Sequence, residues 1–313
     1  MPQVFAHEPV MVDEVVALFA PTPPGVVVDA TVGGGGHAAA LLAAHAHLQV
    51  LGLDQDPVAV TAATAALSSF GGRAVVRHAR FDRVEQEAAS VGVGPGSLSG
   101  ALFDLGVSSV QLDRAARGFS YRQDALLDMR MDPGTARSAA DLVNTLPEPE
   151  LAHLFAEHGE GRFARRIARA VVAARPLTTT TALAEVVREA IPAATRRQGG
   201  HPARRVFQAL RVAVNDELVV LSDTVPRVIE MLAPGGRCVV ISYHSGEDRI
   251  VKHALATAVT GGCTCPPQLP CNCGAVSLGR LVFRGSRRPG ALEVARNRRS
   301  ESARLRAFER VRS

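Results

Sequence analysis

Between residues 23 and 57 the chain runs through one arrangement that few folds can accommodate. Pro23-Pro24-Gly25 opens a β-branched stretch at 26–29, and four consecutive glycines follow at Gly33, Gly34, Gly35 and Gly36. An Ala- and Leu-rich segment occupies 37–47, and a second apolar stretch at 49–53 ends on Asp54. Glycine lets the backbone turn sharply and lets a ligand approach where a Cβ would obstruct it. The Ala/Leu segment has strong helix propensity. A strand, a glycine turn, a helix and a second buried strand make a βαβ unit, which commits the chain to a parallel sheet.

The alternation continues. Asp56-Pro57 predicts a helix start, with Asp as cap and Pro in the first turn, and that helix is expected to run to about Ser69. Strands are expected at 74–77 and 99–105, with a helix at 84–90 between them. From about residue 111 to about 201 the pattern turns helical and polar and is broken by Pro133, Pro147, Pro149, Pro176 and Pro192; helix candidates lie at 150–158, 162–174 and 182–190. The alternation then resumes. Residues 205–232 read as one long helix or a kinked pair with Pro226 at the break, Pro234-Gly235-Gly236 as a turn, 238–242 as a strand and 247–259 as a helix. Two late strands at 281–284 and 304–309 are expected at a sheet edge. The fold class is α/β with a helical insertion. The boundaries are 1–110 for the first part of the sheet domain, 111–204 for the insertion, and 205–313 for the second part with a basic C-terminal tail.

The formal net charge is +5, and residues 280–313 carry eleven Arg against three Glu, so the rest of the chain is slightly acidic. A basic end on a near-neutral body suits a polyanionic partner, because Arg neutralises phosphates and releases counterions. No stretch has the apolar length of a membrane span, and the N-terminal segment lacks the pattern of a secretory signal, which points to the cytoplasm. Of five Cys, Cys238 lies in an apolar strand and the others form Cys263-x-Cys265 and Cys271-x-Cys273. Zinc sites usually space their thiolates by two to four residues, so a local loop without a ligand is the default expectation and no metal ligand set is assigned.

In open parallel sheets, ligands sit beyond the carboxyl ends of the strands. Four features gather there. The glycine loop fits G-x-G-x-x-A from Gly33 to Ala38. Asp54, twenty-one residues past Gly33, is placed to accept hydrogen bonds from ribose hydroxyls. Phe81 follows the third strand, where it can lie against an adenine or belong to the core. Asp104 ends the fourth strand and faces a cofactor or an acceptor. Together these features describe an adenosine site; by themselves they leave NAD and S-adenosyl-L-methionine (AdoMet) both open.

Longer segments carry a resemblance. His7-Glu8-Pro9-Val10-Met11, the glycine loop through His37, Asp104-Leu105-Gly106-Val107-Ser108-Ser109 with Gln111-Leu112-Asp113, and Arg117-Gly118-Phe119-Ser120 lie in the first half. Leu127-Asp128-Met129-Arg130-Met131-Asp132, Gly200-His201-Pro202-Ala203, Phe207-Gln208-Ala209-Leu210-Arg211 and the run from Ser242-Tyr243-His244 to Arg249 complete the set. In these segments the chain resembles the bacterial ribosomal RNA small subunit methyltransferase H family, the cytosine-N4 methyltransferases of small-subunit rRNA. The resemblance implies a class I, Rossmann-like AdoMet methyltransferase sheet interrupted by a helical substrate-recognition domain. It implies cofactor contacts from Gly34, Gly35, Gly36, His37, Ala38, Asp54, Phe81, Asp104 and Gln111. The implied substrate is a cytidine of the decoding region of 16S rRNA within the small ribosomal subunit.

The Asp/Asn-Pro-Pro-aromatic loop familiar from amino-methyltransferases is absent, and residues 104–109 occupy its place. Asp104, Ser108 or backbone carbonyls of this loop are expected to orient the amine, with Tyr243-His244 as a second wall and His244 as proton acceptor or phosphate contact. Arg130, Asp132, His201, Arg204, Arg205 and Arg211 are the candidate RNA face. Two other readings remain, an NAD-dependent enzyme on the same glycine loop and a non-enzymatic RNA-binding assembly factor.

Overall fold

The computed structural model describes residues 9–107, 117–158, 161–193, 201–266 and 272–311. It divides into two compact units, one formed by Met1–Gly106 with Leu218–Ser313 and the other by Val107–Glu217.

The first unit begins with α1 (Val12–Phe19), β1 (Gly25–Asp29), α2 (Gly36–Ala44), β2 (Leu48–Asp54), α3 (Pro57–Leu67), β3 (Ala74–His78), α4 (Val84–Ser90) and β4 (Leu98–Asp104). The second contains α5 (Ala139–Thr145), α6 (Glu148–His158), α7 (Ala164–Ala173), α8 (Thr180–Ala190) and α9 (Ala203–Val214). The chain then returns through α10 (Glu217–Met231), β5 (Leu232–Ser242), α11 (Ser245–Thr260), β6 (Gly279–Leu281), α12 (Ala291–Arg296) and β7 (Arg304–Arg310). The strands form one sheet in the order β3-β2-β1-β4-β5-β7-β6. β1 to β5 run parallel, and β7 is antiparallel to both β5 and β6.

Neighbouring residues on the central strands enter opposite cores, as the two-residue period of a strand demands. Val28, Ala101, Phe103, Cys238 and Val240 join the cluster with Val225, Val228 and Val251. Their neighbours Val27, Leu102, Val239 and Ile241 join Val15, Phe19, Leu41 and Leu305 on the other face. Burial on both faces is why these strands read as continuous apolar runs rather than as alternating ones. Two glycines inside strands permit this packing. A Cβ on Gly52 would fall 2.7 Å from Val32 Cγ2, and one on Gly100 would fall 2.4 Å from the Phe19 ring.

Three expectations are corrected. The break in the segment 205–232 falls at Asn215-Asp216, not at Pro226. Asp216 takes a left-handed conformation with φ 51°, whereas Pro226 is carried inside α10. Pro234-Gly235-Gly236 forms a bulge within β5: Leu232 pairs with Leu98, and the register resumes at Arg237 with Gly100. The basic C-terminal segment is no tail. Arg237 and Arg280 flank Glu309, Arg306 makes a two-pronged contact to Asp248, and Arg310 donates to the Ile229 carbonyl. Part of its charge is therefore spent inside the unit, and β7 and β6 together close the sheet at one edge, as expected.

α9 also falls on the helical side of the division, past the expected boundary at 204/205. Its apolar face (Val206, Phe207, Leu210) packs with Leu151, Phe155, Ile167 and Leu183 in the helical core. The Leu127–Asp132 motif is the knot of this unit. Asn215 straddles Met129, whose φ is 62°. Its Oδ1 accepts from the Met131 N–H at 2.8 Å, and its Nδ2 donates to the carbonyls of Met129 at 2.9 Å and Arg211 at 2.8 Å. Arg117 adds bonds to the carbonyls of Arg130 and Met131. Asn215→Ala leaves the buried backbone groups of Met129 and Met131 without these partners and should cost about 2–4 kcal/mol. Urea denaturation measures it; a loss under about 0.5 kcal/mol would show that solvent replaces the amide.

Candidate active site

The carboxyl ends of β1, β2, β4 and β5 deliver Asp29, Asp54, Asp104 and Tyr243 to one end of the sheet. The turn after β1 is set by glycine. Gly33 (φ 53°) and Gly35 (φ 84°) occupy the left-handed region that disfavours other residues. The Gly35 N–H closes the turn on the Val32 carbonyl at 2.8 Å. A Cβ on Gly36 would fall 2.5 Å from Pro9 Cγ, while one on Gly34 would meet no protein atom within 4 Å. Gly34 therefore borders open space. α2 starts directly behind it, so the N–H groups of Gly36, His37 and Ala38 have no acceptor within the helix. The first helical bond runs from Ala39 to the Gly35 carbonyl. That helix start is suited to a carboxylate. The side chain of Ala38 points into the core with Leu42 and Val50, so only its backbone can serve a ligand.

Asp54 ties β2 to this loop. Its Oδ2 accepts from the Gly33 N–H at 2.9 Å and its Oδ1 from the Asp56 N–H at 2.8 Å. Burial pushes its carboxyl up to about 6, against the pull of those two N–H groups. Asp56 caps α3 through the Val58 N–H at 3.0 Å, as its position before Pro57 predicts.

Asp29 was not among the expected site residues. Only 1% of it is exposed, and burial pushes its carboxyl up to about 7, with His37 pulling the other way. Between about pH 4 and about pH 7 the folded chain holds this proton and the unfolded chain does not. Stability contributed by the neutral acid is thus lost as pH rises through that window. Asp29→Asn, which mimics the neutral form, should gain on the order of 2–4 kcal/mol at pH 8 relative to the native chain and little at pH 4. Denaturant titrations at both pH values check this, and an equal effect at the two would refute it.

Asp104 stands between two side chains. The Tyr243 hydroxyl donates to its Oδ1 at 2.7 Å, and His37 Nδ1 lies 3.6 Å from its Oδ2. His37 is itself fixed, with Nε2 donating to the Val10 carbonyl at 2.9 Å. The Asp104 N–H donates to Thr31 Oγ1 at 2.7 Å, which fastens the end of β4 to the turn after β1. Burial first, then the Asp104 carboxylate, drives the Tyr243 phenol well above its ordinary range, so it stays a donor. About a quarter of the Asp104 side chain remains exposed.

His244 begins α11 as its N-cap. Its Nδ1 accepts from the Glu247 N–H at 3.4 Å. Its Nε2 sits 3.0 Å from Glu247 Oε1 without hydrogen-bond alignment. The buried Glu247 accepts in turn from the N–H groups of Tyr243 at 2.7 Å and His244 at 3.2 Å. The structure thus gives His244 a capping position that holds the turn carrying Tyr243. Phe81 stands edge-on to Phe103 with ring centroids 5.6 Å apart and packs against the core. Ser108 and Gln111 lie outside the described residues.

The glycine turn, Asp54 and Asp104 meet at this end of the sheet, and comparison with known proteins gives the chain a family. The model of the MraW methylase family matches residues 4–311. The chain belongs to the MraW methylase family. Members bearing the name ribosomal RNA small subunit methyltransferase H align over nearly the whole chain. That of Heliobacterium modesticaldum is 48% identical over 99% of this chain and 100% of its own. That of Acidothermus cellulolyticus is 48% identical over 100% and 96%. Among solved structures, an rRNA methylase from Streptococcus thermophilus aligns over 96% of this chain and 95% of its own, with 10% identity and a TM-score of 0.41. The MraW methylase assignment makes the protein an AdoMet-dependent methyltransferase and disposes of the dehydrogenase reading. Among the described residues, no helix is long and apolar enough to cross a membrane.

Proposed function

We propose that the protein transfers a methyl group from AdoMet to the exocyclic N4 of a cytidine in the decoding region of 16S rRNA, in the cytoplasm. The observation that carries this reading is Asp104, held at the end of β4 by Tyr243 and Thr31 with part of its side chain exposed. Full-length relatives named as small-subunit rRNA methyltransferases support the substrate.

AdoMet supplies an electrophilic methyl on a sulfonium. The residues present suit it: the helix start at Gly36, His37 and Ala38 for its carboxylate, Asp54 for the ribose hydroxyls, open space beside Gly34 for the chain between them, and Phe81 near the adenine. The protein's own task is the amine. The cytosine N4 lone pair is delocalised into the ring, so the amine is a weak nucleophile. A carboxylate accepting one amine hydrogen localises that pair and holds it in line with the methyl. As the N–C bond forms and the C–S bond breaks, the amine becomes acidic, and Asp104 accepts its proton. Tyr243 donates to Oδ1 and so fixes the orientation of the carboxylate toward the amine. Ser108 and Gln111, a few residues further on, are assigned to orienting the base and to AdoMet. His244 acts through Glu247 by placing Tyr243.

The helical unit follows Asp104 directly in the chain and is assigned to RNA recognition. Arg130 is committed to Asp128 and Arg211 to Glu217. The start of α9, where His201, Arg204 and Arg205 are all exposed, is the better RNA-facing segment.

Labelled AdoMet incubated with unmodified small subunits, followed by nucleoside mass analysis, tests the reading. Label on N4 of one decoding-region cytidine supports it; label on another base or atom overturns it. AdoMet binding without any transfer would favour the assembly-factor reading.

A further inference from the structure

We propose that Cys263, Cys265 and Cys273 form a mononuclear thiolate metal site, for zinc, on the segment between α11 and β6. The three sulfurs all lie within 4.8 Å of one another. A tetrahedral zinc ion with bonds of about 2.3 Å places its thiolates about 3.8 Å apart, so a small closing movement completes three of its four vertices. A cluster of several irons holds its thiolates farther apart than a single ion does. The sequence spacing argues for a bare loop, because a single residue separates Cys263 from Cys265; the fold overrides that spacing by returning the chain to place Cys273 beside both. Nothing is assigned to Cys271, which lies outside the described residues.

The surroundings show why an ion is wanted there. The segment leaves and rejoins the C-terminal end of α11 at one point. Gly261 caps the helix with φ 63°, and a Cβ on it would fall 2.4 Å from the Val276 carbonyl oxygen. The Cys263 N–H donates to the Thr260 carbonyl at 3.2 Å, and the Leu278 N–H donates to the Ala258 carbonyl at 2.9 Å. Between these anchors, no described residue from 261 to 277 is buried. A closed loop without an apolar core has little to offset its conformational entropy, and metal ligation is the usual substitute. Zinc fits best among common ions, because soft thiolates select it over magnesium or calcium. Three half-buried or exposed thiols and no catalytic side chain among them point to a structural ion that sets the loop's shape, apart from the methyl-transfer site.

The full-length protein, purified under reducing conditions and passed over a chelating resin, should retain one zinc per chain by elemental analysis. Cys265→Ser and Cys273→Ser should bring it close to none while AdoMet binding persists, which shows that the sheet is intact. Replacing zinc by cobalt should give thiolate-to-cobalt charge-transfer bands and strong red absorption of a tetrahedral ion, and the variants should lose both. Zinc content in the native chain no higher than in the variants would overturn the proposal, as would a weak octahedral cobalt spectrum. Recovery of the native cysteines as a disulfide under the same reducing conditions would also overturn it. None of these readouts depends on which RNA is methylated.

Discussion

Asp104→Ala should lower the methyl-transfer rate by about 10²–10⁴-fold, the range that general acid–base groups contribute. The carboxylate is already placed for the work. Its backbone N–H is fixed to Thr31, one oxygen is bonded to Tyr243, and the other faces His37 at 3.6 Å. Asn at this position keeps the bond to Tyr243 but cannot take a proton, so Asp104→Asn should be nearly as slow as Ala. Tyr243→Phe removes one hydrogen bond and leaves the carboxylate, so a loss of about tenfold is expected. Single-turnover rates at saturating AdoMet and RNA separate these effects from binding. Rates for both Asp104 variants within about threefold of native would remove Asp104 from the reaction and return the proton to Ser108, His244 or solvent.

Gly34→Val should weaken AdoMet binding by about 100-fold and leave stability within about 0.5 kcal/mol. Its neighbours do not separate these effects. Gly33 and Gly35 have positive φ, and at Gly36 a Cβ would collide with Pro9, so substitutions there are strained in the protein itself. Gly34 has no left-handed φ and an empty Cβ direction. A side chain at that position costs the fold little and fills the space the cofactor needs. Calorimetric titration with AdoMet and a thermal melt of the free protein give the two numbers. Native affinity in the variant would mean that the space beside Gly34 belongs to solvent, and that the glycine is there only to make the turn.

Much of the sheet could be read before the structure, because period and punctuation coincide in it. The strand at β1, the cap at Asp56 and the strand ending on Asp104 were each marked by an apolar run and a turn residue. The helix break was not legible. Proline signals a break more loudly than Asn-Asp does, yet Pro226 rides inside α10 while Asn215 bonds through its amide to the backbone of Met129 and Met131, 86 and 84 residues away. α1 gave no usable signal, being two turns long and apolar on the side that meets Phe103's sheet from the opposite core. At the site, the structure brings Gly33 to Asp54 and His37 to Asp104. Asp29 did not stand out, since its identity is ordinary and only its burial is unusual. The motif Leu127–Asp132, the most distinctive to the eye, also holds the helical unit together through its backbone. Recognisable sequence can mark a backbone knot as readily as a catalytic group.

The strand order has a consequence for how the protein is made. β7, residues 304–310, lies between β5 and β6 and is pinned by Arg237 and Arg280 on Glu309. During translation β1 to β6 emerge before it. Until β7 clears the exit tunnel, β5 presents an open edge whose N–H and C=O groups invite another strand. The helical unit, by contrast, is complete once residue 217 is out and is free to fold first. A nascent chain stalled before residue 304 should therefore carry a folded helical module on an unfinished, aggregation-prone sheet, and removing the last ten residues should cost the molecule far more than their number suggests.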